Sequence, residues 1–482
     1  MVKKSFLLRL MVPMVVIGML ASCNGKSGGS SLKKSSASDY PVVEISEGLS
    51  KATNVYSQVY EFQDGYAKVR GGDFYGLIDK NGKAVLPCDY SSLNLYGKVA
   101  LVKTSSWGVV GLDGREIVPC RYKKDEIAVF PEEELIRIEK GAQEYHFINY
   151  DGKDIIPNGL QAVIGSGKEW NKDDRVTFSE GLAATSLPTN DPYHTYGFVD
   201  KSGKVVIPAR YRYPALFQDG LAWVDGTLIN KKGETVSLKN EDGTSIIPSD
   251  LVNGFGDYDH GILITKGSNN RYGLWDIIKK KEIVAPVYDY ILSDYDDIYG
   301  CRFFVKDSII LVENDKKYGA VSTSGKEIVP CQYSFAEIIK GFVRVCQEIG
   351  YNHVYGLYDK NGKELLKCGE YSKIDVEENG IVAIRVKGED LVVVAVCVFD
   401  FEGNELTTID EVKSIDLRPL SEGLVAIDKE QKGYGFYDTN GNTVIQPKYE
   451  DAGFFSEGLA PVKLNGKWGY VNHAGKDTFG EQ

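Results

Sequence analysis

The chain lacks every short signature of a familiar active site. It contains no GxSxG, no HExxH, no Walker loop and no GxGxxG. Its five histidines, His146, His194, His260, His353 and His473, lie far apart in sequence, and none has a partner at metal-ligand spacing. Eight cysteines include no CxxC pair, which argues against a zinc ribbon or a thioredoxin-like redox motif. The apolar run Leu10 to Leu20 is well short of the roughly twenty residues a spanning helix needs. No catalytic residue, metal site or cofactor is therefore assigned from the sequence.

What is present begins with targeting. Lys3, Lys4 and Arg9 precede the apolar run, which ends in Leu20-Ala21-Ser22-Cys23, the layout of a secretory signal over residues 1–22. The LASC ending resembles a lipobox, which implies that Cys23 carries the lipid of a membrane-anchored lipoprotein. Residues 23–39 are almost wholly Gly, Ser and Lys, the composition of a flexible tether. The expected location is the cell envelope, at the outer membrane, with the periplasmic or surface orientation open. Removing residues 1–22 deletes three basic residues and no acids, taking the formal charge from −12 to −15. That balance repels nucleic acid, so no nucleic-acid partner is expected.

Residues 40–482 repeat. The clearest copy, Tyr434 to Val462, reads YGFYDTNGNTVIQPKYEDAGFFSEGLAPV. A strand leads to Asp438, whose side chain opens a turn, and Gly441 takes the positive φ that closes it. A second strand runs to Pro447, which cannot donate to a ladder, and a further turn at Glu457 and Gly458 leads into Leu459 to Val462. Eleven such hairpins recur, their first aromatic or its equivalent at Tyr75, Trp107, Tyr145, Tyr196, Thr227, Tyr272, Tyr318, Tyr355, Cys397, Tyr434 and Trp468. The turn-opening slot holds Asp79, Asp200, Asp359 and Asp438 in copies whose glycines are Gly82, Gly203, Gly362 and Gly441, and Asn, Ser or Gly in others. A slot so tolerant wants a turn former, not a catalytic acid. Only the copy at Asp276 has Lys279 in place of the glycine.

The YG or WG pair, the DxxG hairpin, the PxxY stop and the F-x-E-G-L-A segment together resemble the WG-repeat family of bacterial proteins over residues 41 to 482. The resemblance implies an all-β repeat module and little beyond it. Consecutive apolar residues after the hairpin, such as Val205-Val206-Ile207, predict strands buried on both faces, hence small antiparallel sheets stacked as propeller-like blades. Whether the array closes or winds as an open solenoid is undecided at this level. The last copy ends after its hairpin while a matching half, Tyr60 to Val69, precedes the first, as if one unit were split between the termini.

Departures from the repeat supply the candidate binding residues: Trp170, Tyr193 and His194 in the longest insertion, and Tyr258 and His260 in a second irregular region. Aromatics beside acids suit a protein partner or an envelope glycan. A third acidic stretch, Asp294, Asp296 and Asp297, has calcium-type oxygens but reads as a solvated loop. Two functions compete: a lipid-anchored, non-catalytic binding scaffold, and a hydrolase of envelope or dietary polymers that uses carboxylates in the irregular loops.

Overall fold

The computed structural model describes residues 40–479, except 142–143, 158, 162–177, 188–189, 191–195, 240–257, 293, 297–300, 304, 351, 378, 389–390, 411–417 and 429–431. Within this span the protein is nearly all strand, arranged as eleven antiparallel blades in chain order; the third and fourth (127–211) run on as one eight-stranded sheet and the eighth and ninth (335–410) as one of seven strands, while 221–230 form the fifth, 258–288 the sixth, 290–333 the seventh and 424–449 the tenth. Blade 1 shows the plan: Gln58–Gln63, Tyr66–Gly71, Phe74–Asp79 and Ala84–Tyr90 pair in sequence order as strands one to four. Blade 2 repeats it with Ser92–Tyr96, Val99–Lys103, Trp107–Gly111 and Glu116–Tyr122. In most blades the first turn is a two-residue hairpin whose positions both take positive φ, as at Glu457 (+53°) and Gly458 (+86°), the geometry that matches strand twist; blade 3 instead turns through the 3-10 segment Pro131–Glu133.

Blade boundaries fall elsewhere than the sequence periodicity suggests. The F-x-E-G-L half pairs with the aromatic hairpin that follows it, so Tyr60 to Val69 belongs to the same sheet as Tyr75. No blade is split between the termini: the last comprises Asp451–Ala452, Leu459–Leu464 and Lys467–Asn472. Two register assignments also shift by one residue. Thr227 pairs with Val224, and Cys397 with Ala383. Both thus stand where Gly435 stands opposite Ile427, and the aromatic slot falls to Gly226 and Val396.

In several blades the second strand is buried on both faces, whereas in blade 1 Tyr66–Gly71 alternates. Val99 to Val102, Leu182 to Thr185 and Leu424 to Ile427 are buried at every position. The fourth strand, expected to be buried on both faces, is so in some blades and not in others: Ile117, Val118, Ile328 and Val329 are buried, whereas Val205 is 46% and Val206 37% exposed on Val205–Tyr211, which ends its sheet.

Hydrophobic clusters lie between blades, and they close a circuit. Blade 1 shares a cluster with blade 2 through Leu77, Leu86, Leu93 and Val102, and blade 2 with blade 3 through Val109, Ile136 and Ile138. The series continues to Phe436, Ile445, Phe455 and Val462 between blades 10 and 11. Leu459 and Tyr470 of blade 11 then pack with Val59, Phe62 and Val69 of blade 1. Tyr470 donates its hydroxyl to Tyr60 O at 2.7 Å, and Ser456 donates to Phe62 O at 2.6 Å. The segment before blade 1 straps this seam: Val43 O accepts from Asn472 Nδ2 at 2.9 Å, and the α-helix Glu47–Thr53, capped by Ser46 Oγ, buries Leu49 in the same cluster.

Candidate functional site

Antiparallel blades put their turns on two rims. The first-to-second and third-to-fourth turns share one, here the turn rim; the second-to-third turns and blade-to-blade connections share the other, the aromatic rim. On the turn rim the four reference aspartates bend backbone. Asp79 Oδ1 accepts from Asn81 N and Lys83 N, both at 2.9 Å, and Asp438 Oδ1 from Asn440 N and Asn442 N at 2.9 and 2.8 Å. Asp200 and Asp359 do the same. Gly82, Gly203, Gly362 and Gly441 lie at φ +77° to +87°. The copy without glycine shifts its left-handed residue to Lys280, at +56°, and Lys279 N caps Asp276. A second demand falls on Gly82, where a Cβ would come within 2.7 Å of Leu49 Cα in the strap helix.

Between these hairpins runs a cross-link that sequence inspection missed. The turn acid of one blade accepts from the glycine N–H of the next: Glu180 from Gly220 at 2.9 Å, Glu422 from Gly458 at 3.0 Å, and Asn379, in the same role, from Gly423 at 3.2 Å. Across the seam Glu457 accepts from Gly65 at 3.0 and 3.2 Å, so the last blade treats the first as its successor. The hairpin lysine reinforces the step: Lys80 reaches Glu457 at 2.8 Å and Lys231 reaches Glu180 at 3.0 Å. Desolvation works against the ionised Glu180, but Lys231 and the Gly220 amide overcome it and hold its pKa below the usual carboxylate value. The recurrent E-G-L signal was legible; that its acid reaches the neighbouring unit was not.

Of the candidate binding residues, Tyr258 and His260 fall on this rim in ordinary repeat slots. His260 occupies the turn-acid position with φ +47°, and its N–H donates to Gln218 Oε1 at 3.2 Å. Its Nδ1 meets the fully buried carboxylate of Asp259, which raises the imidazole pKa against a smaller desolvation effect. Asp259 also accepts from Val305 N at 2.8 Å. Tyr258 packs into the cluster between blades 5 and 6, and burial pushes its phenol up to about 12. Trp170, Tyr193 and His194 lie outside the described residues, as does Asp297. The backbone of Asp294 and Asp296 forms a short hairpin with Cys301–Phe303. No group of three or more His, Cys, Asp or Glu suited to a metal is found among the described residues.

Two histidines are structural pins. His146 places Nδ1 2.7 Å from Asp154 and Nε2 2.7 Å from Glu144, which occupies both ring nitrogens. His473 is buried at the seam between the rings of Tyr40 (5.8 Å) and Phe455 (4.2 Å), with Glu422 Oε2 3.3 Å from Nε2. Desolvation lowers its pKa, partly offset by a hydrogen bond involving Glu422.

The aromatic rim is built differently. The glycine of the YG pair exists because the fourth strand bulges across it: a Cβ on Gly108 would lie 2.6 Å from Val118 O, and one on Gly435 2.7 Å from Ile445 O. The blade holding Cys397 in that slot keeps register across it, Val396 to Val398 facing Ile409 to Thr407, whereas the blade holding His146 shifts as the others do, Tyr145 facing Leu160 and Ile148 facing Asp154. The aromatic before the glycine is partly exposed and carries a cation at Tyr75, Trp107, Tyr272 and Tyr355, whereas Tyr196 is buried. Lys68 Nζ stands 4.6 Å from the Tyr60 centroid and 5.3 Å from Tyr75, Lys124 Nζ 4.8 Å from Trp107, Lys266 Nζ 5.1 Å from Tyr272, and the Arg344 guanidinium 5.5 Å from Tyr355. Tyr60 and Tyr75 face each other at 6.2 Å, and burial followed by the Tyr75 contact pushes Tyr60 up to about 12.

A circuit of small antiparallel blades of this kind defines an all-β, propeller-like repeat protein. Six of its stretches, residues 75–104, 107–142, 196–225, 318–348, 355–389 and 434–468, match the family model described as WG containing repeat. Each match starts at the aromatic strand of one blade and runs into the second strand of the next, the phase the sequence periodicity also picks out. No curated protein matches the chain at a significant level. Among solved structures it is similar to a eukaryotic initiation factor (8% identity, 73% of this chain and 86% of that one, TM-score 0.36). Others are the C-terminal WD40 domain of Sif2 (11%, 61% and 89%, TM-score 0.27) and BamB from Moraxella catarrhalis (12%, 72% and 96%, TM-score 0.20).

Proposed function

We propose that this protein is an exported lipoprotein, anchored in the envelope membrane through Cys23, that acts as a non-catalytic scaffold holding a macromolecular partner on its aromatic rim. The observation that carries this reading is the contrast between rims. On the turn rim, acids, amides and lysines satisfy one another from blade to blade. The aromatic rim instead presents half-exposed rings such as Tyr75, Trp107, Tyr272 and Tyr355. Rigid aromatic faces flanked by charge are favoured contact groups, because they bury much area for little lost side-chain entropy. The tether of residues 23–39 would leave the blade array free to engage a partner at a distance from the membrane.

The test is affinity purification of the tagged protein from detergent-solubilised envelopes, beside a variant with Trp107→Ala and Tyr272→Ala. A partner retained by the wild type and lost by the variant supports the reading; retention by both places binding elsewhere. The anchor is tested by fatty-acid labelling, which Cys23→Ser should abolish, and unchanged labelling would refute it.

A further inference from the structure

We infer that the aromatic rim of blades 1 to 3 binds an acidic polysaccharide, one that carries a carboxylate on alternate sugars. The inference rests on the scaffold reading and names the chemistry of its ligand. Its first support is a set of ammonium groups that make no direct ion pair. Lys68 lies over Tyr60 and Tyr75, and Lys103 and Lys124 lie 6.0 and 4.8 Å from the Trp107 centroid. No hydrogen bond or ion pair to any of the three occurs among the described residues, although Glu61 is within electrostatic range of Lys68. The nearby acids are already engaged: Asp73 with Arg70 at 3.4 Å and Glu126 with Lys123 at 3.0 Å. Lysines on the opposite rim, in contrast, end on carboxylates, as Lys80, Lys231 and Lys340 do. Lys124, partly desolvated, has its pKa pushed below the ordinary lysine value, so its charge would gain from an incoming anion.

The second support is spacing. Tyr75 packs in the seam between blades 1 and 2, and Trp107 in the seam between blades 2 and 3. Stacked sheets lie about 10 Å apart, and that packing distance sets the scale on which the two ring-and-ammonium stations follow one another. An extended acidic peptide presents side chains to one face at about 7 Å intervals, a poor match. A polysaccharide with one acid per disaccharide is longer in repeat and offers a sugar face to each ring between charges. Lysine, a point charge with no fixed fork, suits single separated carboxylates. In a chain of formal charge −12, such a local cluster of cations is also what would let a polyanion approach at all.

The experiment is calorimetric titration of the full chain in detergent with a hyaluronan octasaccharide, its carboxyl-reduced counterpart, and a poly-glutamate peptide of equal charge. Binding of the octasaccharide should weaken at least tenfold on carboxyl reduction, and again in the Lys103→Gln, Lys124→Gln double variant. Lys80→Gln, on the other rim, should leave it unchanged, and rising salt should weaken it. Absence of octasaccharide binding, equal binding by the double variant, or tighter binding of poly-glutamate would each overturn the inference. If an envelope partner is still captured through Trp107 and Tyr272 in that case, only the ligand class has failed and the scaffold reading stands.

Discussion

Removing the carboxylate of Glu457 separates a closed circuit from an open array. In the structure both oxygens of Glu457 accept from Gly65 N, at 3.0 and 3.2 Å, and Oε2 also meets Lys80 Nζ at 2.8 Å. A hydrogen bond to a charged acceptor contributes on the order of 1.5–3 kcal/mol, and a partly exposed ion pair roughly 0.2–1 kcal/mol. Glu457→Ala should therefore destabilise the seam by about 2 kcal/mol, which corresponds to a loss of roughly thirtyfold in local protection. Global melting is a poor assay, because repeat arrays depart from two-state unfolding. Native-state hydrogen exchange at the Gly65 amide reads the seam directly. The control is Glu180→Ala, which removes the equivalent bond to Gly220 inside the array. A closed circuit requires the two variants to lose comparable protection, each at its own glycine. Normal exchange at Gly65 in Glu457→Ala, alongside a deprotected Gly220 in Glu180→Ala, would refute closure.

Three further outcomes follow from the same geometry. Gly108→Ala, which sets a methyl 2.6 Å from Val118 O and 2.7 Å from Cys120 N, should destabilise by about 1–3 kcal/mol, read as a lower urea midpoint with folded secondary structure retained. His473 has a lowered pKa in the folded state, so its neutral form is favoured there; stability is full above the unfolded value of about 6.5 and falls as pH drops below it. Exchange protection of the Gly475 amide, which donates to Asn472 O at 2.9 Å beside His473, should accordingly fall more in the wild type than in His473→Phe between pH 7.5 and 5.5, and parallel losses would count against the argument. His260 has the opposite sign, its pKa being raised by Asp259, so its contribution is present below the unfolded value and is lost as pH rises through the folded one; His260→Asn, which tolerates the positive φ, should lose that pH dependence.

The all-β class and the blade-like repeat were legible because turn chemistry is local: an Asp, a Gly and a short spacing specify a hairpin without reference to the rest of the chain. The position of the blade boundary was not, because Tyr60 to Val69 and Tyr75 to Tyr90 are joined by hydrogen bonds that a periodic sequence can assign to either neighbour. The same limit hid the role of Glu457. Its E-G spacing shows a turn, whereas its bond to Gly65 spans 392 residues and exists only once the blades are arranged. The YG glycine is a sharper case. Its bulge-crossing demand explains why it recurs and why Cys397 can replace it where the fourth strand keeps register. The letters that make this repeat recognisable therefore mark where backbone bends or touches backbone. On the scaffold reading, specificity would lie in what the pattern leaves free, which on the aromatic rim is the choice of Lys68, Lys103, Lys124 or Lys266 beside the rings.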